Sequence, residues 1–470
     1  MLFKGKVAVE DGSPVTTLAL FSIASRLNRL PIISTHRRAV AVIGLGLFFD
    51  LYEIFLVGAL STVFVNDFGA SRTELPALLS SVFFGMFLGA TTLTTLADRI
   101  GRRQGFLLTM GIYSLASLAS AFSPSLWFLV VMRMVVGFGI GAELPVADSY
   151  LADLLPARHR GRYTVWAYTI GFCGFPVAGF LAHWLVTATV LGIAGWRWMF
   201  IFGSLGALVV WLLRRRLPES PRWLESVGRV DEAAQIVAEM ESEAAAKGPI
   251  PPPRPYVDAP SPISLREILS WPSLRRRAVM LLMFHPLQSV GYYSFGILSV
   301  LVLTQRGYSV VTSLVYAALV YVGYPLGSLM TVPLIERLHR KWLIVGSGGS
   351  MAVLGLLFAN APNPAWIITL GFSYTAVSNV FANAIHVYDG ELFPTELRAR
   401  TAGIPYALSR LSLGIMPFLL VPALYQYGAT WVFAGTGAIL LLAVTIVAIL
   451  GPLTTGLALE EISNEKTYIH

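Results

Sequence analysis

The stretch YLADLLPARHR, residues 150–160, returns later in the chain as YDGELFPTELR, residues 388–398. A tyrosine, an acid, a proline and an arginine keep their places in both, at an offset of 238 residues (388 − 150). A second motif repeats at the same distance: Asp98-Arg99-x-x-Arg102 comes back as Glu336-Arg337-x-x-Arg340. Two motifs on different loops that share one offset, with no gap between them, mark a tandem duplication. What separates the motifs is apolar. Of 470 residues 55% are hydrophobic and 13% charged, and the mean hydropathy is +0.68; a soluble chain keeps about a quarter of its residues charged. Runs of about 20 apolar residues, enough to cross ~30 Å of hydrocarbon as helix, recur as far as residue 450. In lipid such runs satisfy their own backbone only as helices. The expected fold is therefore an all-α polytopic membrane protein, with twelve transmembrane helices in two pseudo-symmetric six-helix bundles. A soluble helical protein would need long amphipathic faces, which the sequence lacks.

The spans are expected near 39–64, 75–97, 104–122, 126–153, 162–188 and 196–213, then near 276–303, 311–335, 342–359, 364–392, 400–425 and 430–450. That divides the chain into an N-terminal segment (1–38), a first bundle (39–213), a middle loop (214–275), a second bundle (276–450) and a tail (451–470). In the N-terminal segment, Thr16 to Leu30 reads as a short amphipathic stretch, and no cleavable leader is expected. The middle loop holds a charged, helix-prone part (Val230 to Lys247), a stiff Pro251-Pro252-Pro253 linker and a short amphipathic piece from Ile263 to Leu269.

The net charge of +8 is topological. Arg99, Arg102 and Arg103, then Arg158, Arg160 and Arg162, occupy alternate loops; Arg214 to Arg216 and Arg275 to Arg277 bracket the middle loop. Arg337, Arg340 and Lys341, and later Arg398 and Arg400, continue the series, whereas Ser123 to Ser125 and Ala359 to Pro364 carry no Lys or Arg. This asymmetry predicts a multi-pass protein of the cell (inner) membrane with both termini cytoplasmic, and it leaves no role for nucleic acid. The single cysteine, Cys173, excludes an intramolecular disulfide and cysteine-based metal sites. There is no phosphate loop, nucleophile elbow or metal-spaced histidine set, so neither an enzyme nor a cofactor is expected.

The motifs resemble the major facilitator superfamily over nearly the whole chain. Asp98-Arg99-Ile100-Gly101-Arg102-Arg103 is similar to its signature loop after the second helix, with Thr94 where the family pattern has a glycine. Arg133-x-x-x-Gly137-x-Gly139-x-Gly141 resembles its fourth helix, and Pro218-Glu219-Ser220-Pro221-Arg222-Trp223-Leu224 the stretch after the sixth. Gly456-x-x-Leu459-Glu460-Glu461-Ile462 is similar to the tail of sugar porters and their relatives. The sugar-porter branch itself fits poorly. Gln288-x-x-Gly291-x-Tyr293 keeps the frame of its seventh helix but lacks the final Asn, and its tenth-helix Pro-x-x-Trp is absent between Ser378 and Glu391. Ser25 to Pro31, Phe49-Asp50-x-x-Glu53 and Gly141-x-Glu143-x-Pro145-Val146 are closer to bacterial metabolite:proton symporters, which include nicotinate-type and aromatic-acid carriers. Phe175 before Pro176 departs from the fifth-helix pattern of drug:proton antiporters.

Ionisable groups inside spans are candidates by default, because leaving one unpaired in lipid costs several kcal/mol. Asp50 and Glu53 share one face of the first span, and two adjacent carboxylates at low dielectric do not both ionise readily. Arg133 lies at a depth that either can reach. The resemblance implies that a first-helix carboxylate, taken as Asp50, couples proton and substrate binding through Arg133; Glu143 joins this proton-coupling set. A salt bridge that only locks the first helix to the fourth is the alternative. Arg410, mid-span in the eleventh run, resembles the substrate arginine of organic-anion carriers; otherwise it bridges to Glu143 or Asp148. His285, Gln288, Tyr292 and Tyr293 on the seventh span, with Asn379 and Asn383 on the tenth, are expected to line the substrate cavity, or else to glue helices together. His386 on the same stripe is assigned to gating or packing, and Gly85-x-x-x-Gly89 to close helix contact.

The loop motifs read as a cytoplasmic gate. Asp98, Arg99, Gly101, Arg102, Arg103, Asp153 and Arg160 on one half oppose Glu336, Arg340, Glu391 and Arg398 on the other, with salt bridges closing the inner mouth. The function expected is proton-coupled symport of a small organic acid by alternating access, with substrate, protons and lipid as partners of a monomer. A sugar or polyol carrier, or a non-transporting nutrient receptor of the same fold, are the alternatives.

Overall fold

The computed structural model describes residues 22–71, 73–253, 271–393 and 395–454. After a short α1 (Ile23–Asn28), the first bundle holds α2 (Ser34–Phe68), α3 (Leu75–Ile100), α4 (Arg102–Ala121) and α5 (Leu126–Leu154). The fifth pass is two helices in line, α6 (Arg160–Phe172) and α7 (Gly174–Leu185), and α8 (Gly195–Arg214) closes the bundle. Between α7 and α8 a minimal hairpin, β1 (Thr189–Val190) with β2 (Ile193–Ala194), turns through Leu191 and Gly192, both at positive φ. Two helices of the middle segment follow, α9 (Pro221–Ser226) and α10 (Val230–Ala245). The second bundle repeats the first: α11 (Pro272–Gln305), α12 (Val310–Tyr321) continued by α13 (Gly323–Arg337), α14 (Arg340–Ala359), α15 (Pro364–Leu392), α16 (Thr395–Tyr427) and α17 (Ala429–Leu450).

The duplication is visible in the helix bounds. α4 and α14 begin at 102 and 340 and end at 121 and 359; α5 and α15 run over 126–154 and 364–392. All four bounds keep the 238-residue offset of the sequence motifs. Among the described residues, eleven passes are long and apolar enough to cross a membrane by themselves. The twelfth, α4, is diluted by Thr109, Ser114, Ser117 and Ser120, all buried, and packs against α5 and α8. The expected spans hold to within a few residues, except that the fifth and eighth each break into two helices, at Cys173 and Val322.

Close packing within the first bundle rests on small residues, as Gly85 and Gly89 suggested. A Cβ on either would lie 2.0 Å from a backbone carbonyl of α5, that of Met134 or Phe138. The bundles meet along α2 with α11, α3 with α16, and the α6–α7 pass with the α12–α13 pass. At that seam the Phe55 ring fills the space over Gly296, the Phe84 ring covers Gly414, and the Thr169 and Ser328 hydroxyls hydrogen-bond at 2.9 Å.

The charged part of the middle segment is α10, as expected, and α1 is strapped to it. Arg26 donates to both oxygens of Glu241 (3.2 and 2.8 Å) and Arg29 to one (2.7 Å). The segments Ile263 to Leu269 and Gly456 to Ile462 lie outside the described residues.

Candidate functional site

The repeated loop motifs build the same clasp in each half. Tyr150, near the end of α5, donates to the Pro218 carbonyl (2.9 Å), and Tyr388 on α15 to the Pro452 carbonyl (2.8 Å). Ser220 donates to Asp153 (2.8 Å), as Thr454 does to Glu391 (2.5 Å). Arg102 lies 3.9 Å from Asp153, and Arg340 lies 3.3 Å from Glu391. In both halves, then, the start of the third pass, the end of the fourth and the exit of the sixth are tied together. Arg102 also pairs with Asp98, one turn away. Arg103 donates its N–H to Glu219 (3.1 Å) and its guanidinium to the Arg215 carbonyl (2.5 Å), while Gly101, at positive φ, leaves room for the Glu219 carboxylate.

Of the residues expected at the gate, Asp98 and Asp153 face Arg102 and Glu391 faces Arg340, each within its own half, because the duplicated motifs bring these partners to the same spot. Glu336 and Arg398 lie outside the described side chains. Arg99 is exposed, and Arg160 starts α6. With the clasp inside one half, Arg102→Ala is expected to shift the balance of inward- and outward-facing states more than substrate affinity. Electron-resonance distances between one spin label on each half, set beside ligand titrations, check this; unchanged distance distributions count against it.

Deeper in the first bundle five charged side chains are sealed from solvent. Arg133 on α5 pairs with Glu53 on α2 and also donates to the Glu53 carbonyl (2.6 Å); Ser117 donates to the other Glu53 oxygen (2.5 Å). Arg214, the last residue of α8, pairs with Glu143 on α5, and Thr109 donates to the second Glu143 oxygen (2.8 Å). Both guanidiniums rest on aromatic faces, Arg133 at 5.3 Å from Phe200 and Arg214 at 4.3 Å from Phe106. Asp50 sits between the two pairs, fully buried, with no hydrogen bond to either carboxylate oxygen. Its charged neighbours are Glu143, Arg214 and Glu53, and the Tyr113 hydroxyl lies beside it, itself without a closed hydrogen bond.

Two assignments change here. Arg133 takes Glu53 rather than Asp50, and Arg214 is a buried partner rather than a loop charge, since α8 runs one residue beyond the expected span. Charge pairing was the signal available: Glu143 inside a span needed a cation. Glycines make the room. A Cβ on Gly46 would overlap the Arg214 guanidinium at 1.8 Å, and one on Gly203 would sit 2.4 Å from Glu53. Gly46→Val therefore displaces Arg214 and leaves Glu143 uncompensated; loss of about 3–5 kcal/mol is expected. A thermal midpoint equal to wild type would refute it.

A second cluster lies at the seam between the halves. Arg410 on α16 donates to the Tyr293 hydroxyl (3.0 Å), and its guanidinium faces the rings of Tyr406 (4.5 Å) and Tyr293 (5.2 Å). Among the described residues it has no carboxylate partner, so the expected alternative bridge to Glu143 or Asp148 is absent. Glu143 is taken by Arg214, and Asp148 accepts from Tyr168 (2.8 Å). Tyr293 reaches Phe55 and Phe83 of the first bundle (6.2 and 6.0 Å between centroids). Tyr292 donates to Asn379 (3.2 Å), whose amide donates in turn to the Tyr324 carbonyl. Tyr324 packs on Phe175 at 4.5 Å and on Phe55 at 6.1 Å. Phe55, Tyr324 and Tyr406 were not singled out in the sequence, and Phe175 only for its place before Pro176, because aromatic residues in apolar spans carry no pattern of their own.

The remaining polar residues divide. Half-buried Gln288 donates to Ser289 (3.3 Å) near Tyr292. Asn383 is spent on α13, donating to Ser328 (3.1 Å) and Thr331 (3.4 Å), which is helix pairing. His285 Nε2 lies 3.1 Å from an Asp389 carboxylate oxygen. His386 is exposed and stacks near Tyr168 (5.0 Å), joining the halves.

A duplicated helical bundle with buried charges and a polar-aromatic seam defines a membrane transporter of the major facilitator fold. The chain belongs to the sugar (and other) transporter family, whose family description matches residues 39–465. It is 31% identical over 447 residues to the niacin transporter NiaP of Acinetobacter baylyi, covering 94% of this chain and 99% of that one. It is 26% identical to the inner membrane metabolite transport protein YdjE of Escherichia coli, covering 94% and 98%. Among solved structures it resembles the xylose transporter XylE from E. coli in a partially occluded inward-open conformation, with a TM-score of 0.72 at 19% identity over 90% of this chain and all of that one. That likeness speaks for the fold alone. These relatives are transporters and not enzymes, and the chain is a multi-pass membrane transporter of the sugar and metabolite type.

Proposed function

We propose that the protein is a proton-coupled symporter for a small organic anion, an aromatic or nicotinate-like carboxylate, working by alternating access as a monomer with cytoplasmic termini. The observation that carries the substrate class is Arg410: a buried guanidinium at the seam, held by tyrosines and, among the described residues, lacking a carboxylate partner. A guanidinium binds a carboxylate bidentately, and beside it Tyr292, Tyr293, Tyr324, Phe55 and Phe175 form a connected aromatic cluster, the kind of surface that suits an aromatic acid. The relative named as a niacin transporter agrees with this chemistry.

Proton coupling follows from a count of charges. Among the described residues Asp50, Glu53 and Glu143 face two cations, Arg133 and Arg214, so a sealed site is neutral when one carboxylate holds a proton. Glu53 and Glu143 are each paired, which leaves Asp50 as the carrier. Its protonation state changes the field on both guanidiniums and so biases the two access states.

A thermal-shift series on purified protein tests the substrate class. Nicotinate and benzoate are expected to raise the midpoint, whereas nicotinamide and xylose leave it unchanged. A response to xylose alone sinks the anion reading.

A further inference from the structure

A cleft of about 600 Å³ opens away from the seam, on the basic face beneath α9 and α10. It lies where α2 and α4 begin and α8 ends, the level at which spans leave the hydrocarbon. Arg38, Arg103, Arg215 and Arg216 line it, and Leu224, Ile236 and Met240 form an apolar wall. The Arg215 guanidinium faces the Trp211 ring at 4.9 Å, and the Trp211 indole is fixed to the Leu107 carbonyl at 2.8 Å. A tryptophan so placed marks the membrane–water boundary.

Most acids on the cleft are already engaged. Glu232 pairs with Arg229 (2.5 Å). Glu219 accepts the N–H groups of Arg103 and Ser220, and burial pushes its carboxyl above the ordinary value. Glu243 accepts from Thr35 and the Ser34 N–H (both 2.6 Å) and lies 3.8 Å from Lys247; against a desolvation cost that pushes it up, those hydrogen bonds hold it at about 2. Only exposed Glu239 remains, against four arginines, and among the described residues neither Arg38 nor Arg216 has an ion-pair partner.

We propose that this cleft binds a phosphate group, supplied by the headgroup of an anionic phospholipid, with Arg38 and Arg216 on its oxygens and the glycerol and first methylenes against Leu224, Ile236 and Met240. Guanidinium forks match phosphate geometry, and basic pockets at the membrane surface select anionic headgroups. The site is separate from the transport pathway, so it stands whatever the seam carries.

The full chain in neutral detergent, titrated with phosphatidylglycerol or phosphatidylcholine and read by native mass spectrometry, tests the proposal. Wild type is expected to retain phosphatidylglycerol preferentially. The double variant Arg38→Ala/Arg216→Ala loses that preference by on the order of tenfold, and Arg38→Lys/Arg216→Lys keeps part of it. Equal retention of both lipids by wild type overturns the proposal, as does an unchanged preference in the alanine variant. A parallel thermal shift with pyrophosphate separates the sources. A pyrophosphate response without a phosphatidylglycerol preference assigns the arginines to a soluble phosphate and overturns the lipid.

Discussion

Asp50→Asn is expected to abolish accumulation of substrate above equilibrium while leaving the fold and substrate exchange intact. The two buried ion pairs, Glu53 with Arg133 and Glu143 with Arg214, do not use Asp50. Removing its charge therefore strands no cation, and the sealed site becomes permanently neutral. A transporter locked in that state can exchange substrate across the membrane but has no proton to release. Glu53→Gln is expected to behave differently. It leaves Arg133 buried without a counter-ion, a loss of about 3–5 kcal/mol, so the thermal midpoint falls along with transport. The pair of variants separates coupling from packing. Proteoliposomes with an imposed proton gradient measure accumulation, and counterflow without a gradient measures exchange. If both variants still concentrate substrate, and that concentration collapses with the proton gradient, neither carboxylate couples transport.

The architecture was legible because it is written in long-period features. The 238-residue repeat and the apolar runs foretold helices whose bounds keep that same offset, as α4 with α14 and α5 with α15 show. The site was less legible, because it depends on rotamers and on depths within about one helical turn. Asp50 and Glu53 share a face and are indistinguishable in a pattern, yet only Glu53 meets Arg133. Arg214 looked like one of three loop arginines, although a single residue of extra helix carries it beneath Gly46 to Glu143. His285 and Asn383 belong to the expected polar stripes but are spent on Asp389 and on α13. Opposed charges in two loops likewise say nothing of which partner each one finds: Asp98 and Asp153 meet Arg102, and Glu391 meets Arg340.

Arg410 is where substrate charge is expected to be decided. Its guanidinium is buried at the seam, satisfied in part by the Tyr293 hydroxyl, and has one nitrogen, Nε, without a partner. A carboxylate arriving there gains a charge-assisted bidentate contact, whereas a neutral sugar gains only ordinary hydrogen bonds. Arg410→Ala should therefore weaken binding of an anionic ligand by on the order of a hundredfold, since truncating one partner of a buried charge pair costs about 2–5 kcal/mol. Arg410→Lys keeps the charge but loses the planar fork, so partial affinity should remain. Stability provides the control: Arg410 compensates no acid among the described residues, so alanine there should cost little of the thermal midpoint, in contrast to Glu53→Gln. Calorimetric titration of nicotinate or benzoate onto wild type and both variants reads the effect. Equal affinity in all three proteins would remove Arg410 from the substrate site, and with it the reason for preferring an acid to a sugar.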